Sequence, residues 1–183
     1  GATLTVAVNG GAATSVTVNG SNWTFSPSTP LLNGTYTFAF VATDAAGNVS
    51  APTTFTLTVD TVAPAAPVIA SVTDNVSPVT GPIVDGGITN DTTPTFTGTV
   101  EAGATLTVAV NGGAATPVTV TGSNWTYTPA ALANGPHTFS FVATDAAGNV
   151  SAPTAFTLTV DTVILPPVIS SVTDDQAPVT GAI

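Results

Sequence analysis

Lysine, arginine, cysteine and methionine are all missing from the 183 residues, and histidine occurs once. With ten acidic side chains and no fixed cation, the formal net charge is -10. Affinity for a phosphate backbone or an anionic leaflet rests on Lys and Arg. The composition therefore argues against nucleic-acid binding and against direct membrane attachment. Without Cys there are no disulfides, which leaves a bound hard cation as the staple open to a small domain outside the cell. No apolar run approaches the roughly 20 residues that span a bilayer. A charged start followed by an apolar core is also missing at Gly1, so the chain is expected to be a piece of a longer one.

What is present is apolar and patterned. Hydrophobic residues make up 43% of the chain and charged residues 5%, a balance that folds. The chain also repeats itself. GATLTVAVNGGAAT (Gly1 to Thr14) recurs unchanged at Gly103 to Thr116, and VATDAAGNVSAPT (Val41 to Thr53) recurs at Val142 to Thr154. One deletion separates the two blocks, between PSTPLLNG around Asn33 and PAALANG around Asn134. FTLTVDTV (Phe55 to Val62) returns at Phe156 to Val163, and PVIASVTD (Pro67 to Asp74) returns as PVISSVTD (Pro167 to Asp174). The period is about one domain long. Pro-rich joints, VDTVAPAAP and VDTVILPP, interrupt the pattern and mark boundaries. They divide the chain into an incomplete repeat over 1–62, a complete repeat over 63–163 and the beginning of another over 164–183.

Within the complete repeat, apolar residues alternate: Phe96, Gly98, Val100; Leu106, Val108, Val110; Val118, Val120; Phe139, Phe141, Ala143; Phe156, Leu158, Val160. Period two with Thr on the other face predicts half-buried antiparallel strands. VNGG, TGS, LANG and DAAGN break the runs with the Gly and Asn that tight turns use. About seven short strands in about 100 residues predict a β-sandwich, and no helical period occurs.

TPTFTGTVEAGATLTV (Thr93 to Val108), SNWTYTP (Ser123 to Pro129), LANGPHTF (Leu132 to Phe139), ATDAAGNVSAP (Ala143 to Pro153) and LTVDT (Leu158 to Thr162) follow one another in this repeat. In that combination the chain resembles the bacterial immunoglobulin-like repeats of giant biofilm-associated and type I-secreted adhesins. The resemblance covers the whole chain and departs from the family pattern mainly in being cut mid-domain. It implies an all-β rod of tandem immunoglobulin-like antiparallel sandwiches, calcium at the interdomain joints, and a place on the bacterial cell surface or in a biofilm matrix.

Strand order in such a sandwich suggests which acids meet. Glu101 and Asp145 are expected at the end where the chain comes in, beside the linker residue Asp60. Asp74 and Asp91 are expected at the opposite end, near the outgoing Asp161. Asp44 is the counterpart of Asp145 in the first unit, and Asp174 that of Asp74 in the third. Carboxylates gathered at a joint repel one another unless a cation is bound, and Ca²⁺ accepts such oxygen ligands in flexible geometry. The alternative is that Asp145 and Asn149 bond only to their own turn while Asp60 is a solvated linker charge.

Trp125, with its counterpart Trp23, is expected in the sandwich core rather than at a sugar-stacking surface. The lone His137 has no second His or Cys to make a metal site and is expected on a strand surface. Glycoside chemistry would need two acids flanking a sugar. Here the acids fall in turns and linkers, with no long insertion to build a cleft, so no enzymatic activity is expected. The expected role is a calcium-stiffened stalk whose partners are the neighbouring repeats of the same chain. Two alternatives remain open: repeats that bind glycan or protein themselves, and self-association with the same protein on other cells through Thr-rich edge strands. A further alternative is that Pro167 to Ile183 adds a first strand to the incomplete unit of a neighbouring molecule.

Overall fold

The computed structural model describes residues 1–174 and 181–182, and among them there are strands and turns but no helix. Strands β1 (Thr3–Val8), β2 (Thr14–Asn19), β3 (Asn22–Thr24), β4 (Gly34–Thr43) and β5 (Thr53–Val59) form one antiparallel sheet in the order β3-β2-β1-β4-β5. The next nine are β6 (Val68–Asp74), β7 (Gly81–Pro82), β8 (Gly87–Thr89), β9 (Thr95–Thr99), β10 (Thr105–Val110), β11 (Thr116–Thr121), β12 (Asn124–Tyr127), β13 (Gly135–Thr144) and β14 (Thr154–Val160). They run β7-β6-β9-β12-β11-β10-β13-β14-β8. A two-stranded pair follows, β15 (Thr173–Asp174) with β16 (Gly181–Ala182). The alternative placing Pro167 to Ile183 on a neighbouring molecule falls partly on residues outside those described.

The nine strands curl into two layers because β11 serves both. Its first half pairs with β10, Val118 opposite Leu106, and its second half pairs with β12, Thr121 opposite Asn124. Seven of the strands have four or more residues, while β7 and β8 are short edges. β8 lies parallel to β14 and every other pairing is antiparallel. Between the layers lie Phe96, Leu106, Val108, Trp125, Phe139, Phe141, Ala143, Leu158 and Val160, all buried. These are the alternate positions of their strands, as period-two burial requires. Phe96 meets Phe139 at a ring-centroid distance of 4.6 Å, and the Trp125 indole stacks on Phe141 at 4.8 Å. Burial of each such side chain stabilises by about 1.5–3 kcal/mol relative to leaving it in water.

The two units share local sequence but not local burial. Trp23 is 47% exposed where Trp125 is 2%, and Phe55 is 60% exposed where Phe156 is 7%. In the second unit β6 and β9 cover this face, with Gly98 of β9 directly across from Trp125. No strand in the five-stranded sheet does that for Trp23.

The turns follow from their residues. Asn9 and Asn111 take φ of 50° and 53°, and the glycine after each follows at 70° and 68°. Two successive left-handed residues twist the hairpin to match its strands, which is why Asn-Gly stands at both places.

His137 corrects one expectation. It is buried, because position 137 shares a strand face with Phe139 and Phe141. Its ring is accommodated there by polar partners. Nδ1 meets Asn111 Nδ2 at 2.9 Å, and Nε2 meets the Ala133 carbonyl at 2.8 Å. A carbonyl can only accept, so Nε2 carries the proton and Nδ1 accepts from the amide.

Candidate functional site

Acidic side chains gather at both ends of the second unit. At the end where the chain comes in, the β13–β14 connection folds into a tight turn around Asp145. One oxygen of its carboxylate accepts the backbone N–H groups of Ala147 and Asn149, each at 2.9 Å. The other accepts the Asn149 side-chain amide at 2.8 Å. That amide bond, followed by the backbone bonds, holds the Asp145 carboxyl below the usual carboxylate range. Asp44 is held down in the same way by Asn48, so this much belongs to the turn itself.

Glu101 lies in the connection between β9 and β10, and its Oε2 accepts the backbone N–H of Ala65 in the incoming linker at 3.2 Å. Asp60 opens that linker, and its Oδ1 accepts the N–H of Val62 at 3.0 Å. Asp60, Glu101 and Asp145 line one cleft of about 350 Å³, together with Thr58 and the Ala102–Ala104 turn. The donor set is oxygen only, the chemistry a hard cation selects. Among the described residues, however, no three acidic or histidine side chains stand close enough to hold one ion as placed.

At the opposite end, Asp74 and Asp161 line a cavity of about 270 Å³ with Thr89 and Asn90. Both Asp74 and Asp91 are buried. Asp74 accepts the Thr89 hydroxyl at 2.5 Å and the Val76 N–H at 2.8 Å. Asp91 accepts the N–H groups of Asn75 and Thr93 and the Thr93 hydroxyl. Its own N–H donates to the Thr89 hydroxyl oxygen at 3.0 Å, which ties the two aspartates to one threonine. Asn90 Oδ1 is buried beside them without a hydrogen-bond partner. Asp161 Oδ1 accepts from Val163 N, as Asp60 does from Val62. The side chain of Asp174 lies outside the described residues.

Three polar groups with clear roles were not singled out from the sequence. Asp85 accepts both the N–H and the hydroxyl of Thr157, which pull its carboxyl below the ordinary value, and so fastens the β7–β8 loop to β14. Asn33 and Asn134 each accept the N–H and hydroxyl of the linker threonine, Thr61 and Thr162. Their signal was the Asn of an NG turn standing 28 residues before the Thr of a DT dipeptide in both copies of the repeat.

Residues 1–61 and 67–162 match the family described as bacterial Ig-like domain. No curated protein matches the sequence. Among solved structures, the fibronectin(III)-like modules of Clostridium thermocellum CbhA give a TM-score of 0.46 at 19% identity, over 86% of this chain and 77% of theirs. The BSP domain of a biofilm associated protein gives 0.33 at 22% identity, over 88% of this chain and 26% of that one. A 1.5-MDa bacterial ice-binding adhesin gives 0.40 at 22% identity, over 88% of this chain and 53% of that one. No helix among the described residues is long and apolar enough to cross a membrane.

Proposed function

The chain belongs to the bacterial Ig-like domain family, and from that premise we propose that it is a spacer segment in the stalk of a large bacterial surface adhesin, stiffened by calcium at the joints between repeats. The observation that carries the reading is the first joint. A linker carboxylate, Asp60, faces Glu101 and Asp145 of the following unit across one cleft, on a chain with no Lys or Arg to neutralise them.

Carboxylates brought together at a joint push the two units apart unless a cation intervenes. Calcium supplies two positive charges and accepts six to eight oxygens in flexible geometry. Glu101 and Asp145 would provide ligands from the folded unit and Asp60 from the linker. Backbone carbonyls or water would complete the shell. Binding to the folded joint alone adds to its stability by mass action. At the second joint Asp74 and Asp161 would act the same way toward a following repeat.

Extracellular modules in general hold calcium with Kd about 10⁻⁴ to 10⁻³ M. Such sites stay empty in a cytosol and fill outside the cell, so the stalk would stiffen after export. Its immediate partners would be the neighbouring repeats of its own chain, and its place the cell surface or the surrounding matrix.

Small-angle scattering of the chain in millimolar calcium and then in chelator tests the reading. A longer, less flexible particle in calcium supports it. Identical profiles, with no heat of calcium binding by calorimetry, would leave the linker acids as solvated charges and remove the metal from the proposal.

A further inference from the structure

Two asparagines from different units grip the same peptide group of the linker. Asn33, in the turn before β4, accepts the N–H of Thr61 at 3.0 Å and its hydroxyl at 2.8 Å through Oδ1. Asn149, in the turn before β14, donates from Nδ2 to the carbonyl of Asp60 at 3.2 Å. The carbonyl of residue 60 and the N–H of residue 61 belong to one planar peptide unit, which does not twist internally. No rotatable bond separates the two grips. Their orientation is not free either. Asn149 Nδ2 faces two groups that only accept, Asp60 O and the Asp145 carboxylate. Asn33 Oδ1 faces a backbone N–H that only donates.

We infer that Asn33 and Asn149 form a latch, independent of any metal, that fastens each repeat to the next through the peptide group between Asp60 and Thr61. The rest of the linker is held by the second unit alone. Pro64 and Pro67 are buried, Ala65 N–H is taken by Glu101, and the Thr154 hydroxyl donates to the Pro67 carbonyl. Val62 and Ala63 are left as the only stretch between the latch and that anchored portion. Rotation there is restricted because the latch and the anchors attach to the same second unit.

Both halves of the latch recur. Asn134 grips Thr162 as Asn33 grips Thr61, so the peptide group between Asp161 and Thr162 presents a carbonyl to a following repeat. Asn48 holds Asp44 as Asn149 holds Asp145, and so offers the same amide to a preceding linker. The partner this surface fits is therefore another copy of the same repeat, in the same chain. The latch uses amides and main chain rather than net charge, so neither chelation nor salt removes it, which separates it from the calcium sites proposed above.

Residual dipolar couplings of the 183-residue chain in chelator measure whether the two units tumble as one body. Asn149→Ala and Asn33→Ala are each expected to lower the ratio of joined to splayed arrangements about 3- to 10-fold, the factor one net hydrogen bond supplies. Asn48→Ala, which removes the same turn bond in the first unit without touching the linker, is expected to leave that ratio unchanged. Thr61→Val provides a milder variant that keeps the N–H and removes only the hydroxyl bond. A wild-type chain joined in chelator and loosened by Asn149→Ala supports the latch whatever calcium does. A joined fraction in chelator that Asn149→Ala leaves unchanged overturns it.

Discussion

Gly98 and Trp125 face each other across the β9–β12 pair, and the indole occupies the space a side chain on Gly98 would need. A Cβ at position 98 would overlap indole carbons of Trp125 and the carbonyl of Val68 on β6. The glycine therefore admits the largest core side chain and allows β6 and β9 to approach. Gly98→Ala is expected to destabilise the second unit by about 1–3 kcal/mol or more, the range for overpacking a filled core. A urea titration followed by Trp fluorescence checks it, and an unchanged midpoint would mean that the indole has room to move.

The same comparison predicts an asymmetry between repeats. Trp125→Ala removes a buried, stacked ring and is expected to cost about 3–5 kcal/mol. Trp23→Ala removes a ring that is about half exposed, so its cost should be clearly smaller although the local sequence, SNWT, is identical. Hydrogen exchange resolved to each unit reads both. Equal losses would contradict the exposure difference between the two sheets.

His137 obeys the period-two alternation of β13 despite its polar side chain. It stands two residues before Phe139 and four before Phe141, so the alternation that located those rings also placed the imidazole on the inner face. A polar residue type overrode the pattern, because nothing in a linear sequence shows that Asn111 and Ala133 wait there as partners. The first unit has Tyr36 at this place, with its hydroxyl donating to the Leu32 carbonyl at 2.9 Å. His137→Tyr keeps a hydroxyl for the Ala133 carbonyl and is therefore expected to stay within about 1 kcal/mol of the parent, whereas His137→Leu loses both ring hydrogen bonds, at about 0.5–1.5 kcal/mol net for each. Thermal melting of both variants distinguishes polar pairing from mere volume.

Much of the architecture was legible, since the β-sandwich rests on alternation, Asn-Gly turns and Pro-rich joints that all act over a few residues. The gathering of Asp60, Glu101 and Asp145 at one end could also be anticipated from strand order. What the sequence could not supply was competition for each carboxylate's lone pairs. Asp145 already accepts three hydrogen bonds within its own turn, and Asp91 three from Asn75 and Thr93, and these bonds depend on side-chain directions that only the folded chain sets.

Acid should weaken the second unit through Asp85 and Asp145. Both carboxyls are held below the ordinary value, Asp85 by the Thr157 bonds and Asp145 by Asn149. A depressed folded value means their contribution is fully present above the unfolded value of about 3.9 and is lost as pH falls through the lower, folded one. Both groups are open to solvent, so each effect is small. Asp85→Asn keeps an acceptor for Thr157 without titrating, and is expected to flatten the loss of stability below about pH 4. Denaturant midpoints between neutral and strongly acidic pH test it, and a loss as steep as the parent's would exclude Asp85 as a contributor.

Asp91 and Asp60 are both acidic and both near a joint, yet only a change at Asp60 should alter the response to calcium. Asp91 is fully buried, and its oxygens serve three donors of its own unit. Asp91→Ala leaves those donors without their acceptor, at about 1–3 kcal/mol for each that stays buried and unpaired. That loss should be the same in calcium and in chelator. Asp60 is exposed, and its single turn bond to Val62 is worth little, so Asp60→Ala should be nearly silent in chelator. If calcium occupies the cleft, Asp60→Ala loses a ligand and the stabilisation that calcium adds to the parent should shrink. Melting curves of the two variants, each with and without calcium, separate an acid that builds the fold from one that binds a metal. A calcium-sensitive Asp91→Ala beside a calcium-blind Asp60→Ala would move the metal from the linker cleft to the opposite end of the unit.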